Sequence, residues 1–214
     1  MIKLCVFDMD GTVVNTIGDI SGAMNRSLAT LGYEPHDEEE YCRMIGDGMV
    51  VLCKRAVDGA SDEIIEKLIN LYKKDYLENC CVKSVVYEGM LEVIKELKKA
   101  GIRCAMLSNK PHEQVMKIAE KLFPEGLFDE ILGKTDDFPA KPAPDSLLYI
   151  MEKLGAKAEE TVYIGDSDVD IKLGKSVGVY SVGVAWGFRG EEELKGENAD
   201  YIAYKADDLL KLME

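Results

Sequence analysis

Two carboxylates, Asp8 and Asp10, close an apolar run near the start of the chain in "VFDMDGTVVN", residues 6–15. Residues i and i+2 of an extended segment point to the same side, so both acids could face one pocket. Further on, "CAMLSN" ends in Ser108 and Asn109, and "FPAKPAPD" carries Lys141 in a proline-rich loop. "TVYIGDSDVD" then delivers Asp166, Ser167, Asp168 and Asp170. Asp8, Asp10, Asp166 and Asp170 gathered together would repel one another unless a cation neutralised them. Hard oxygen ligands, few in number and with room for water, suit Mg²⁺. With a lysine, a hydroxyl and backbone amides beside them, these are parts that hold a phosphoryl group. One aspartate could attack phosphorus to form an acyl phosphate, splitting a hard hydrolysis into two easier steps. A second carboxyl, helped to start protonated by the negative charge of its neighbours, could protonate the leaving oxygen and later deprotonate water. Any one of these acids alone reads as a solvated turn residue. Their recurrence at successive strand ends points to phosphoryl transfer.

The elements that would position them alternate. "IKLCVF", "IRCAML", "TVYIG" and "VYSVGVAW" are short, nearly continuous apolar runs. Such runs belong to strands covered on both faces of a parallel sheet. Between them lie helical patterns: "MLEVIKELKKAG" carries Leu91, Ile94 and Leu97 on one stripe with Gly101 as its stop, and "PDSLLYIMEKLG" stops at Gly155. The pattern predicts an α/β fold, a Rossmann-like doubly wound parallel sheet whose carboxyl strand ends hold the ligand. From Thr16 to Ser84 the periodicity is helical throughout, with no convincing strand. Ser61 stands as an N-cap there, followed by a stripe of Ile64, Ile65, Leu68, Leu71 and Tyr72. The expected organisation is a core of residues 1–15 and 85–214 with an all-helical insertion over 16–84.

With 214 residues, 47% of them apolar, the chain is long enough for one sizeable core. A formal charge of −14 argues against nucleic acid and anionic membranes, which need basic surface. No run approaches a membrane-spanning length, and no signal-peptide pattern opens the chain. Cys5, Cys42, Cys53, Cys80, Cys81 and Cys104 have no framework spacing and read as reduced thiols of a cytoplasmic protein.

In order, "DMDGT", "LSN", "KPAPD" and "GDSDVD" resemble the four motifs of the haloacid dehalogenase (HAD) superfamily. The resemblance implies Asp8 as nucleophile, Asp10 as general acid/base and Thr12 as a support of the loop and of phosphate binding. It implies that Ser108, Asn109 and Lys141 bind the phosphoryl group, Lys141 sharing in catalysis. Mg²⁺ would sit on Asp8, the backbone carbonyl of Asp10, and Asp166, with Asp170 and Ser167 in support. The helical insertion stands where the family's C1 cap stands. "SNKPHEQV", "IGDGMVVLCKRAV" and "GVAWGF" are similar to segments of the superfamily's phosphoglycolate phosphatases; Gly46 and Gly48 read equally as a turn between helices of the insertion or as a backbone nest that touches the substrate carboxylate. Asn15, where an aspartate is common, and Glu88, where a proline is usual, depart from that pattern.

The implied activity is Mg²⁺-dependent hydrolysis of a small anionic phosphomonoester, 2-phosphoglycolate first, by a monomer or homodimer. A phosphosugar mutase of the same superfamily would carry a histidine soon after the first motif, and "VVNTIGDISG" has none. A hydrolytic dehalogenase would lack Asp10; a receiver-type module would lack both Asp10 and the helical insertion. A pyrophosphatase, a nucleotidase and a non-catalytic phosphate-binding module stay open. Asp168 reads as an exposed charge at a helix N-terminus, Arg55 as one half of a surface ion pair, and His36 and His112 as structural. Lys110 reads equally as a solvated helix start or a substrate contact; Trp186 reads as packing against a helix rather than flooring the pocket.

Overall fold

The computed structural model describes residues 1–213. Its centre is a six-stranded parallel sheet. The strands are β1 (Leu4–Phe7), β4 (Arg103–Pro111), β5 (Glu130–Lys134), β6 (Thr161–Gly165), β7 (Tyr180–Val184) and β8 (Tyr201–Ala203). Their order is β5-β4-β1-β6-β7-β8, with Leu4 opposite Arg103 on one side and Thr161 on the other. Every residue of β1 is fully buried, and they alternate faces: Cys5 and Phe7 join one apolar cluster, Leu4 and Val6 a second. Helices α5 (Met90–Lys99) and α6 (His112–Leu122) cover the first face through Val93, Ile94, Leu97, Val115 and Ile118. Helices α7 (Asp145–Lys153) and α8 (Asp168–Val177) cover the second through Leu147, Ile150 and Leu173. Each such side chain contributes about 1.5–3 kcal/mol of burial, which is why continuous apolar runs, not alternating ones, mark these strands. Gly101 and Gly155 end α5 and α7 with positive φ, as the sequence predicts.

From β1 the chain builds toward one edge through β4 and β5, then returns to β6 and builds toward the other. The crevice of a doubly wound sheet opens at such a reversal, above the carboxyl ends of the strands concerned. Here those are β1, β4 and β6.

Between β1 and α5 come four helices, α1 (Ile17–Thr30), α2 (Glu38–Met44), α3 (Met49–Ala56) and α4 (Asp62–Asn79). Helix α1 packs on α4. Its buried Ile20, Ala23, Met24 and Leu28 lie on one face, and Arg26 binds Asp75 of α4 through both carboxylate oxygens. On α4 the buried residues are Leu68, Tyr72 and Tyr76. The predicted stripe is displaced by about a turn: Ile64, Ile65 and Leu71 are only half-buried, and Tyr76 joins Leu68 and Tyr72 in the core. Ser61 precedes α4 without a side-chain capping bond, whereas Asp37 and Glu40 form a full capping box on α2.

Entry and exit of the helical segment are tied together. Strand β2 (Val14–Asn15) pairs antiparallel with β3 (Val85–Val86), a two-residue ribbon too short to show in a sequence pattern. In the first turn of α1, buried Asp19 accepts hydrogen bonds from the amides of Val82, Lys83 and Ser84 and from the Ser84 hydroxyl at 2.6 Å. Among the described residues no helix is long and apolar enough to cross a membrane, and all six cysteines are free thiols.

Candidate active site

Asp8 follows β1, Ser108 lies near the end of β4, and Asp166 follows β6, so three neighbouring strands deliver their side chains to one pocket. Lys141 enters from the loop before α7 and is buried. Its ammonium lies 2.9 Å from Asp8 Oδ1, 2.8 Å from Asp170 Oδ1 and 3.1 Å from the Tyr163 hydroxyl. Asp170, on the first turn of α8, is fully buried; its other oxygen accepts from the Ser167 amide and hydroxyl, closing a capping box. Asp166 accepts from the Thr12 hydroxyl at 3.2 Å and from the Phe188 amide at 2.7 Å. Gly11 and Gly187 flank Asp166 so closely that a Cβ at either would collide with its carboxyl.

The electrostatics follow from this crowding. Burial pushes the Asp8 carboxyl up to about 7, with Lys141 opposing and Asp170 and Asp10 adding to the rise. Burial, with Asp170 and Asp8, likewise holds Asp166 well above the usual carboxylate range. For Lys141, burial disfavours the charge, but Asp170 and Asp8 outweigh it and hold the ammonium well above the usual lysine value.

Carboxylate oxygens of Asp8, Asp166 and Asp170 all lie within 4.8 Å of one another, against the single cation Lys141. Both oxygens of Asp170 are engaged. Asp8 Oδ1, although near Lys141, is buried with no aligned hydrogen bond. A surplus of buried negative charge on hard oxygens, one of them paired with Lys141 alone, fits a divalent cation of the Mg²⁺ kind.

Asp10 stands apart from this cluster. Both of its oxygens lie 2.7 Å from the Lys110 ammonium, and Oδ1 also accepts from Thr16 at 2.6 Å. The expectation that acidic neighbours surround Asp10 is therefore corrected: its immediate charged neighbour is a lysine. Lys110 itself is not a solvated helix start; it lines the pocket beside Asp10. It is 7% exposed, and its ammonium stands 4.9 Å from the centre of the Tyr76 ring of α4.

Above the acids the pocket is roofed by Ile20, Ile45, Met49, Leu52 and Tyr72 of the helical segment, with Gly46 and Gly48 between them. The cavity of about 50 Å³ has room for several waters or one small ester, not for a polypeptide. Asn109 pins this roof down. Its amide donates to the carbonyls of Gly46 at 3.0 Å and Lys141 at 3.1 Å, and its oxygen accepts from the Lys141 amide. Asn109 thus ties two loops together while lining the pocket, and the Thr12 hydroxyl supports Asp166.

The smaller residues fall out simply. Arg55 pairs with Asp47 at 2.7 Å, and Asp168 pairs with Lys172 at 2.6 Å. His36 bonds the Ala56 carbonyl and His112 accepts from the Gly133 amide, so both imidazoles are structural. Trp186 donates to the Thr12 carbonyl at 3.0 Å, steadying the loop after β1, and packs against the main apolar cluster beside Tyr87; Phe188 takes the pocket wall. Arg189, which no sequence pattern singles out, also lines the pocket.

A family model described as "Haloacid dehalogenase-like hydrolase" matches residues 5–184. A phosphoglycolate phosphatase of Aquifex aeolicus is 31% identical over 213 residues, covering 100% of this chain and 97% of its own. One from Vibrio parahaemolyticus is 32% identical over 220 residues, covering 99% and 96%. The crystal structure of a predicted phosphoglycolate phosphatase from Haemophilus somnus superposes with a TM-score of 0.93 at 29% identity, covering 100% of this chain and 98% of that one. Motifs, sheet order, site and relatives agree, and the chain belongs to the haloacid dehalogenase-like hydrolases.

Proposed function

We propose that this phosphatase hydrolyses a small carboxylated phosphomonoester, 2-phosphoglycolate first among them, with Mg²⁺ and through a phosphoryl group carried on Asp8. The observation that carries the reading is Asp8 Oδ1: buried, without an aligned hydrogen bond, and beside Lys141 at the bottom of a pocket sized for a small ester. A carboxylate so positioned is a nucleophile in search of an electrophile.

Lys141, fixed by Asp170, would neutralise the phosphoryl oxygens as Asp8 closes on phosphorus, and Ser108 would donate to one of them. Asp10 would protonate the leaving oxygen and then draw the proton from the water that releases phosphate, for which its contact with Lys110 has to loosen. Asp8, Asp166 and the backbone carbonyl of Asp10 would hold Mg²⁺, which when bound spreads the charge of the transferring group. Residues 16–84 would act as a cap that opens at the β2–β3 ribbon and closes to exclude water. The mutase alternative is disfavoured, because no histidine lines the pocket among the described residues.

The test is phosphate release from a panel with Mg²⁺ and with chelator: 2-phosphoglycolate, pyrophosphate, a nucleoside monophosphate, sugar phosphates and an aryl phosphate. A metal-dependent lead for 2-phosphoglycolate supports the proposal. Flat activity retains the chemistry and removes the substrate; activity unchanged by chelator removes the metal.

A further inference from the structure

Three cations line the pocket: Lys110, Lys141 and Arg189. Two are committed to carboxylates of the floor, Lys110 to Asp10 and Lys141 to Asp8 and Asp170. Arg189 is not. It lies in the loop after β7 with its side chain 14% exposed, and one Nη2 proton goes to the Ile45 carbonyl of the roof at 2.8 Å. Its one carboxylate partner, Glu193, stands 3.8 Å from Nε, beyond hydrogen-bond length, and outside the pocket lining. Glu193 is also occupied with the Asp168 amide at 3.2 Å. A guanidinium has five N–H donors in a planar fork, so most of this one's capacity is unspent.

The roof has no charge of its own to offer. Its pocket-facing side chains are apolar, and its nearest charged pair, Asp47 and Arg55, is closed on itself and does not line the cavity. A substrate whose phosphoryl group sits on Lys141 and Asp8 leaves its alcohol part under this roof. There, an anionic substituent would meet the one lining cation that, among the described residues, has no carboxylate within hydrogen-bond distance.

We infer that Arg189 determines substrate specificity: it holds the roof loop through Ile45 and turns the free edge of its guanidinium toward a carboxylate on the leaving group. The inference rests on the phosphatase reading above and narrows the substrate class to short phosphoesters whose alcohol carries one anionic group. Planar bidentate contact with a carboxylate is what arginine does and lysine does only partly. The same residue joins core to roof, so an anionic leaving group and the closed roof stabilise one arrangement.

The experiment compares kcat and KM for 2-phosphoglycolate and for its uncharged counterpart, 2-hydroxyethyl phosphate, in the wild type, Arg189→Met and Arg189→Lys. A hydrogen bond to a charged group predicts that Arg189→Met lowers the charged-to-neutral ratio of kcat/KM by roughly 10- to 100-fold. The change should sit mainly in KM, with Arg189→Lys recovering part of it. An equal loss on both esters overturns the inference, since Arg189 would then be a latch alone; an unchanged ratio overturns it as well. Failure of the underlying reading looks different, because the wild type would release phosphate from neither ester, and the inference would fall with it.

Discussion

The floor and the roof of the pocket are built on opposite terms. On the floor, carboxylates and lysines are buried at the ends of a parallel sheet, and almost every polar atom has a fixed partner. In the roof, side chains are apolar, charges face outward in pairs, and the loop at Gly46 is attached to the core by single hydrogen bonds from Asn109 and Arg189. A buried charge cluster is tolerable only where good geometry and further hydrogen bonds repay its desolvation, as they do on this floor. On the proposed reading, the apolar roof, held by a few bonds, would lift and close again. On that reading, chemistry belongs to the floor, and selection among leaving groups to Arg189, where floor and roof meet.

Variants of the floor should affect every substrate alike, and the largest effect belongs to Asp8→Asn. Turnover should fall by about 10⁴-fold or more on all esters. Because the substitution removes a poorly solvated carboxylate from beside Asp166 and Asp170, the melting temperature of the metal-free protein should rise. Appreciable residual turnover would remove Asp8 as nucleophile.

Lys141→Met strips Asp170 of its cation in a fully buried setting. The expected loss is about 3–5 kcal/mol of stability, read by denaturant unfolding, together with loss of activity. A stability close to the wild type would mean that Ser167 and Tyr163 suffice to hold Asp170.

A third effect is set by pH. The Asp8 carboxyl is raised to about 7 in the folded chain from an unfolded value near 3.8. The folded state then binds more protons than the unfolded state across that interval, so metal-free stability should decline as pH rises from about 4 to about 7. Mg²⁺ should relieve the same repulsion, raising the melting temperature more at about pH 8 than at about pH 5, on either side of the folded value. Equal Mg²⁺ stabilisation at both ends would contradict the carboxylate cluster as its seat.

The smallest effect should come from the roof. Met49→Ala enlarges the cavity without touching a charge and should change the ratio of kcat/KM between large and small esters by roughly tenfold or less. A uniform collapse of kcat from this substitution would break the division between floor and roof.

Much of the floor is legible in the amino-acid sequence. Strands β1, β4, β6 and β7 are buried on both faces, so their apolar runs carry a clear signal, and the acids follow at their ends. The edge strands β5 ("EILGK") and β8 ("YIA") are half exposed and mixed in composition, so no run marks them. The ribbon of β2 and β3 is too short for any periodicity. Within the site, Lys110 and Arg189 are hidden for a different reason. Lysine and arginine read as surface residues from sequence, and only the fold brings Lys110 to Asp10, 100 positions away, and Arg189 to Ile45, 144 away. Asn109 sits beside Ser108 in the same motif and both line the pocket, yet the Asn109 side chain spends its hydrogen bonds on the loops at Gly46 and Lys141.

Asp8 as the carrier of the phosphoryl group is tested most sharply by a rapid acid quench during turnover of an aryl phosphate, followed by mass analysis of the peptide that contains Asp8. It would be run on the wild type and on Asp10→Asn, whose second half-reaction should be slow. The expected result is one phosphoryl group on Asp8, formed before free phosphate appears and lost on adding hydroxylamine. Phosphate release with no phosphorylated Asp8 peptide at any time, in either protein, would contradict a covalent route through Asp8.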